Sequence, residues 1–543
     1  MLVINKILKT IDTERMFLLG IWVVLTVLNV TKAFHIDDTY HLESAQWISD
    51  HWQKPLSGTI NWGDNSEPMH DSNNPALFFY GIALVASVFS YSEVPLHLFM
   101  SVFTFLTLVF FLRIKRLLYP TSSPLILLIF GFCPALIVNQ NLMTDVPLLS
   151  FFLGFLYFFL LAGEKKQYRN YLVASIFLGS ALLIKFTVLP VFVFMLLGML
   201  VRKHYRYLFM LFIPVLFLGF WSSWNYFEFE GIQILSRSTK DLTLRIFGKN
   251  ILAFCGCLSA VLPLTIVLIG GIKHWINKVL FVGLIITAIA VPTLLLTDVI
   301  THYRANSTMN FLFTFSGIFI VIHFIWTIWK DHRGSNFIQF YRSNKGLLTL
   351  VFIGITMFIL MFAPFMASRH LLLVIPIILL LYTPYIDKLS SLYRIVFFGT
   401  TLLLGVALSI SDWNYAQYYK QKAKEIKTLH LDNKTWAVGH WGWQWYATKN
   451  GMRVYERDAD LVKIGEYLVV PNKVSRQDIH PSLSLLPIDT LYSAPDYTTF
   501  FSVNNEASMY SSRFKKPAWS YSKLPLDSIY IFQVDSILEV FEE

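Results

Sequence analysis

The sequence predicts an all-α polytopic membrane protein with about 13 transmembrane helices and a small mixed α/β domain outside the membrane at its C-terminal end. Of its 543 residues, 55% are hydrophobic and 14% are charged, and the mean hydropathy is +0.54. So few charges cannot cover the surface of several soluble domains. The basic residues cluster between apolar runs, and the composition becomes mixed after residue 410. A water-soluble enzyme is therefore excluded.

Apolar runs that could cross a bilayer recur along the first 410 residues. The first run follows Lys6, Lys9 and Arg15 and has no small-residue cleavage site after it, so we expect an uncleaved first helix. The runs occupy residues 16–34, 75–91, 94–112, 124–141, 146–162, 171–187, 188–201, 207–226, 250–272, 279–297, 309–329, 347–364, 370–385 and 394–410.

Lys and Arg residues between these runs predict which side of the membrane each loop faces. The 44 Lys and Arg outnumber the 34 Asp and Glu, and such clusters mark cytoplasmic loops. The clusters are Arg113/Lys115/Arg116, Lys165/Lys166/Arg169, Arg202/Lys203/Arg206, Lys273/Lys278, Lys330/Arg333/Arg342/Lys345 and Lys388/Arg394. All of them lie inside, together with the N-terminus, only if residues 75–91 do not cross. The same argument makes residues 171–201 a hairpin, with Pro190 near its turn and Lys185 near the outer apex.

This topology divides the chain into two domains. Residues 1–410 form the transmembrane domain, with a long outer first loop at residues 35–74. Residues 411–543 form a periplasmic domain, in which the runs 436–440 and 467–470 alternate as strands do. The C-terminus therefore lies outside.

Three acidic residues stand out at the predicted outer surface. Asp37 and Asp38 follow the first helix directly, before a short amphipathic helix, and Asp145 lies between two later spans. These acids could simply cap helices. Alternatively, Asp37 and Asp145 could converge to bind a divalent metal ion, or divide the roles of base and positioning group.

These residues, in this order, resemble the C-type glycosyltransferase (GT-C) superfamily, and in particular the bacterial relatives of protein O-mannosyltransferases and lipid A aminoarabinose transferases. The resemblance rests on the AspAsp pair at 37–38, the AsnPro-led run at residue 75, the ThrAspValPro turn at Asp145 and the SerArgHisLeuLeu segment with Arg369. It covers the chain from the first helix to about residue 385. The outer tail, with HisTrpGlyTrpGlnTrpTyrAla from residue 440, is similar in placement to the periplasmic domain of that group.

The resemblance implies transfer of a sugar, with inversion, from a polyprenyl-phosphate donor to an acceptor hydroxyl at the outer face of the bacterial cytoplasmic membrane. The acceptor would be a lipid-linked glycan, a lipid or a protein, and no nucleic acid is involved. Asp37 matches the general base of the family, and Asp38 matches its neighbour, which is usually Glu. Asp145 matches the second acid, and Arg369 matches a late basic residue that can hold the carrier phosphate.

The departing phosphate of such a donor gains negative charge, so cationic groups must face it. The predicted topology places Arg369 and Lys185 at the outer boundary, where either could bind phosphate or merely extend towards the interface. Outer histidines could join a metal site. The aromatic run from Trp441 to Tyr446 could stack on a sugar, lie as a belt at the membrane interface or form the core of the outer domain. A lipid or glycan transporter is the alternative, although it would place ionisable groups in mid-membrane and show two similar halves.

Overall fold

The computed structural model describes residues 2–71, 74–235, 243–271, 275–333, 336–363, 365–429, 431, 434–458, 462–474, 477–493, 498–510 and 515–538. Lys273 of the predicted basic clusters lies outside these ranges, and nothing is described of the Lys278 side chain. The helices of the first half are α1 Leu2–Asn29, α2 Asp38–Asp50, α3 Leu77–Phe89, α4 Glu93–Leu118, α5 Leu125–Gly131, α6 Pro134–Val138, α7 Asp145–Lys165, α8 Tyr168–Leu182, α9 Leu189–Val201 and α10 Phe212–Phe229. The later helices are α11 Leu244–Val261, α12 Thr265–Gly271, α13 Trp275–Leu296, α14 His302–Arg333, α15 Phe337–Arg342, α16 Asn344–Phe362, α17 Ile375–Lys388, α18 Ser391–Thr428 and α19 Trp441–Lys449.

The predicted helical membrane fold with a C-terminal mixed sheet is confirmed. Within the described residues, 7 helical segments are long and apolar enough to cross a membrane. They are Glu93–Leu118, Asp145–Lys165, Tyr205–Phe229, Leu244–Val261, His302–Arg333, Asn344–Phe362 and Ser391–Thr428. Other predicted runs are broken: residues 124–141 form α5 and α6, which begins with Pro134. The number of about 13 crossings stays a prediction.

Helix α4 illustrates why these segments form helices and how they are oriented. Its apolar residues are continuous, Glu93 lies in its first turn, and Lys115 and Arg116 lie in its last turn. These charges complement the helix dipole at both ends. The helix has 26 residues and is therefore about 39 Å long, enough to join the two faces of the bundle.

The predicted basic clusters meet one another at the end of the bundle that contains Lys115 and Arg116. Glu14 near the N-terminus accepts hydrogen bonds from Lys115 at 2.5 Å and from Arg116 at 2.6 Å. Further contacts at this end join Ser123 N to Asp387 Oδ1, Lys345 to the ring of Tyr119, Arg202 to Asn344, Asn344 to Glu164, and Tyr207 to the carbonyl of Lys166. These contacts place the connected clusters on one face, as the sequence predicted.

Helix α3 begins and ends on the opposite face. It packs along α2 of the first loop, and Tyr80 within it donates to the carbonyl of Trp52. The residues after its end contact α19: Lys449 donates to the carbonyl of Tyr91, and Tyr446 donates to Glu93. With 13 residues it is about 20 Å long, shorter than the hydrocarbon core. This placement is the one expected if residues 75–91 do not cross the membrane, which stays a prediction.

Helices α8 and α9 form the predicted hairpin. A short 3₁₀ helix, Phe186–Val188, separates them, Lys185 lies directly before it, and Pro190 lies in the first turn of α9. Proline is favoured there because a backbone N–H in the first turn has no acceptor within the helix, so the N–H that proline lacks is not missed. The apex places Lys185 at the end of the bundle opposite to the basic clusters, which is the predicted outer end.

The C-terminal region forms one mixed sheet with strand order β4-β3-β5-β7-β6. After the short hairpin β1 Thr59–Asn61 and β2 Ser66–Pro68 of the first loop, its strands are β3 Thr435–Ala437, β4 Arg453–Val454, β5 Tyr467–Pro471, β6 Leu483–Tyr492 and β7 Ser528–Ile537. The predicted strand runs at 436–440 and 467–470 overlap β3 and β5. The predicted boundary at residue 410 falls inside α18, because this helix continues to Thr428 after its apolar part has ended.

Candidate active site

A cavity of about 370 Å³ lies at the outer end of the bundle. Its lining comprises three groups of residues, which we call the apolar, the charged and the outer layer. Apolar residues come from α7, α16 and the segment before α17: Leu148, Phe358, Ile359, Phe362, Leu372 and Leu373. The charged residues are Asp37, Asp145, Lys185 and Arg369. The first loop, α2 and α19 add aromatic and acidic residues: Tyr40, Trp62, Glu67, Asp71 and Trp441. An amphiphilic ligand would find a matching surface along this cavity.

Asp37 and Arg369 form one ion pair in the cavity wall. Arg369 lies in the 3₁₀ helix Ser368–Leu373, and its Nη1 donates to Asp37 Oδ2 at 2.6 Å. Asp37 immediately precedes α2, after Ile36, whose φ of 49° is strained for a β-branched residue. The exposed side-chain fractions are 10% for Arg369 and 29% for Asp37. Such backbone strain near a cavity is typical of functional sites.

Asp145 and Lys185 form the second pair. Asp145 begins α7, where a carboxylate is favoured by the helix dipole, and its Oδ1 accepts from Lys185 Nζ at 2.8 Å. The hairpin apex supplies Lys185. The structure therefore brings together four of the five predicted site residues, which come from separate parts of the chain.

The electrostatics of the cavity keep Asp37 ionised. Burial alone would raise the pKa of Asp37, but the charge and hydrogen bond of Arg369 outweigh it, and the pKa lies below its usual value. His41, one helical turn along α2, is buried, and burial lowers its pKa to about 4. At neutral pH the site thus holds an ionised Asp37 beside a neutral imidazole.

Asp38 is not brought to the cavity lining. It is 0% exposed, and its Oδ2 accepts from the backbone N–H of His35 at 2.7 Å. Burial raises its pKa to about 8, so this carboxyl group is largely protonated at neutral pH. Its contacts hold the turn that leads into α2.

The predicted metal ligands Asp37 and Asp145 are each bonded to a cation in the cavity. Among the described residues there is no group of three or more His, Cys, Asp and Glu that could hold a metal ion. A metal ion at Asp37 and Asp145 stays a prediction.

A second polar cluster adjoins the cavity and was not predicted. Lys32 Nζ donates to Asp412 Oδ2 at 2.9 Å, and both side chains are 0% exposed. The hydroxyl of Tyr510, a cavity-lining residue of the outer domain, lies 2.9 Å from each oxygen of Asp412 and accepts from Asn141 at 2.5 Å. The positions of Lys32 and Asp412 at the outer ends of two spans were visible in the sequence. Nothing in the irregular tail marked Tyr510.

The members of the outer aromatic run differ in their surroundings. Trp443, Trp445 and Tyr446 are 0%, 5% and 4% exposed and belong to the core. Trp441 lines the cavity with a φ of 63°, and its carbonyl accepts from Thr39 at 2.5 Å.

Comparison with known proteins supports the sequence resemblance. Residues 73–222 match the family model described as dolichyl-phosphate-mannose-protein mannosyltransferase. The structure is similar to that of ArnT from Cupriavidus metallidurans bound to undecaprenyl phosphate, with 12% identity, a TM-score of 0.51, and coverage of 98% of this chain and 99% of that chain. Against ArnT of the same organism in the apo state, the identity is 13%, the TM-score 0.40, and the coverage 96% and 97%. No curated protein matches the sequence significantly. The resemblance to GT-C enzymes is confirmed, and the fold is that of a multi-pass membrane protein like ArnT.

Proposed function

We propose that this protein transfers a sugar from a polyprenyl-phosphate donor to an acceptor hydroxyl, with inversion, at the outer face of the bacterial cytoplasmic membrane. The observation that carries the proposal is the pair of carboxylate–cation contacts in one cavity, Arg369–Asp37 and Lys185–Asp145, next to an apolar wall. The apolar layer suits the first isoprene units of the carrier, and the two cations suit its phosphate. The match to undecaprenyl-phosphate-bound ArnT in fold supports the same carrier class.

In the proposed reaction, Asp37 takes the proton from the acceptor hydroxyl as the acceptor oxygen bonds to the anomeric carbon of the donor sugar. The bond between that carbon and the phosphate oxygen breaks, and polyprenyl phosphate leaves with the additional negative charge. Attack opposite to the departing phosphate inverts the anomeric carbon. Arg369 uses only Nη1 for Asp37, and its buried Nε has no partner among the described residues. The remaining N–H groups bind the phosphate, and as Arg369 moves towards it, Asp37 becomes a stronger base.

Binding of undecaprenyl phosphate to purified protein tests the carrier. We expect Arg369→Ala to weaken this binding by about tenfold or more, and Arg369→Lys to recover part of it, because Lys lacks the planar fork. Arg457→Ala is the matched control, since Arg457 pairs with Asp64 outside the cavity. If neither Arg369 variant changes affinity, Arg369 is not the phosphate ligand. If the wild type binds no polyprenyl phosphate, the transferase proposal fails and the transporter alternative gains.

The proposed orientation has the N-terminus in the cytoplasm and the C-terminus outside. Two exposed positions at opposite ends of α4 test this orientation. Ser90 lies before α4, at the proposed outer end, and Thr121 lies after α4, at the proposed cytoplasmic end. A cysteine at Ser90 should react with a membrane-impermeant maleimide in intact spheroplasts, and one at Thr121 only after lysis. The reverse pattern would invert the proposed orientation.

A further inference from the structure

We infer that the outer layer of the cavity is a binding subsite for a sugar ring that carries no acidic group, with walls supplied by Trp62 of the first loop and Trp441 of the C-terminal domain. The inference rests on the proposed function and adds a ligand class to it. The site combines apolar ring faces with two carboxylates, Glu67 and Asp71. Flat C–H faces of a sugar pack on aromatic rings, and its hydroxyls donate to carboxylates.

The ring of Trp62 is held in place by two other rings, those of Tyr40 and His440. The rings of Trp62 and Tyr40 meet edge to face at 5.4 Å, and Trp62 stacks on His440 at 5.5 Å. His440 in turn lies 2.9 Å from Gln444 Oε1 and 3.0 Å from the carbonyl of Gly63. The loop and α19 are thus joined beside the subsite, so the rings are positioned before a ligand arrives.

Trp441 enters the cavity because α19 docks tightly on the chain before α2. A Cβ atom at Gly442 would lie 2.3 Å from the carbonyl oxygen of Phe34, so only glycine permits this approach. Trp441, the residue directly before Gly442, has a left-handed φ of 63°. A tryptophan in this conformation is costly, and such backbone strain at a cavity wall points to a ligand contact.

The charges of the subsite select among sugars. Among the described lining residues from the first loop and the C-terminal domain there is no Lys or Arg, and besides Asp37, which pairs with Arg369, the charged ones are Glu67 and Asp71. The two lining cations, Arg369 and Lys185, lie with Asp37 and Asp145. A phosphorylated sugar would therefore meet two carboxylates in the outer layer, and like charges disfavour binding. An uncharged ring meets no such penalty.

The sugar has two sources, the donor and the acceptor, and both present the same ring chemistry. Three probes separate them: undecaprenyl phosphate, an undecaprenyl-phosphoryl hexose, and a neutral hexose disaccharide added with undecaprenyl phosphate. For the variant Trp62→Leu/Trp441→Leu we expect unchanged affinity for undecaprenyl phosphate and about tenfold weaker binding of a sugar-bearing probe. Loss with the phosphoryl hexose assigns the subsite to the donor sugar, and loss with the disaccharide assigns it to the acceptor.

Trp52→Leu is the matched control, because Trp52 lies in the same loop, is 61% exposed and does not line the cavity. Equal affinity of the wild type and the double variant for both sugar-bearing probes would overturn the inference. Failure of the wild type to bind undecaprenyl phosphate would instead overturn the proposed carrier, and the disaccharide can still be tested alone.

If the tryptophan variant does not fold, a second variant tests the inference instead. Glu67→Gln/Asp71→Asn changes two exposed side chains, with Asp50→Asn as its exposed control in the same loop. We expect the preference of the wild type for the neutral disaccharide over its phosphorylated form to fall by about tenfold. An unchanged preference would overturn the selection against charge.

Discussion

Two kinds of ion pair lie at the outer end of the bundle, and they differ in their access to the cavity. The side chains of Lys32 and Asp412 are both 0% exposed. Those of Arg369 and Asp37 are 10% and 29% exposed, and both line the cavity. A fully buried pair cannot exchange its partner without leaving a charge unsolvated, whereas a pair at a cavity wall can exchange it for a ligand. We therefore expect the first pair to determine stability and the second to determine transfer.

The largest expected effect is on the buried pair. Lys32→Met leaves Asp412 with an unpaired charge beside Tyr510, which should lower the free energy of unfolding by about 3–5 kcal/mol. Lys32→Met/Asp412→Asn removes both charges and keeps an acceptor for the Tyr510 hydroxyl, so it should recover much of the loss. Equilibrium unfolding in detergent micelles measures the free energy of unfolding of the single and the double variant.

Lys422→Met is the control on the same helix, because Lys422 pairs with Glu425 at the surface and such pairs contribute about 0–1 kcal/mol. If the Lys32 and Asp412 substitutions destabilise additively, the two charges do not act as a pair and the comparison fails.

The second prediction concerns the cavity pair. Asp37→Asn keeps the size of the side chain but removes the base, and we expect the transfer rate to fall by on the order of 100-fold or more. The free energy of unfolding and the affinity for undecaprenyl phosphate should stay close to those of the wild type. Single-turnover kinetics with purified protein measure the rate, and Asp50→Asn serves as control. Turnover like that of the wild type would remove Asp37 from the mechanism.

Sequence patterns sufficed for most helices and for the clustering of the basic residues at one end of the bundle, because both depend on local composition, whereas the sidedness stays a prediction. Apolar runs specified the helices, and basic clusters on both sides of residues 171–201 required a hairpin that brings Lys185 to the outer face. The same argument from the basic clusters predicted that residues 75–91 do not cross the membrane. The break between α5 and α6 was missed, since the hydropathy of residues 124–141 is continuous through Pro134.

Pairings could not be predicted, because they join residues that are distant in the chain. Arg369 and Asp37 are 332 positions apart, and Lys32 and Asp412 are 380 apart. Each residue could be assigned to the outer face, but topology alone does not select a partner within that face. The two adjacent acids show the same limit: the resemblance assigned the base to Asp37, but no pattern in the sequence indicated that the chain at Ile36 would direct Asp37 to the cavity and bury Asp38.

The smallest effect on transfer is expected for Asp38, and its signature is a pH dependence of stability. The pKa of Asp38 is raised to about 8 by burial, whereas an unfolded aspartate titrates near 3.9. Between these values the folded state binds the extra proton, so the wild type loses stability as the pH rises from about 4 to about 8. Asp38→Asn cannot titrate, and its side-chain oxygen still accepts from His35. We therefore expect the variant to gain stability relative to the wild type across this range.

Unfolding of the wild type and of Asp38→Asn at pH 5 and pH 8 measures this difference, with Asp50→Asn as an exposed control on the same helix. The stability difference between wild type and variant should shift towards the variant at pH 8, while the transfer rate at neutral pH stays near that of the wild type, because a protonated Asp38 and an Asn present similar groups to His35. A stability difference that is the same at both pH values would show that Asp38 is ionised throughout. A large loss of transfer at neutral pH would instead place Asp38 with Asp37 in the chemistry, and would end the distinction between a buried acid that shapes the turn and a cavity acid that reacts.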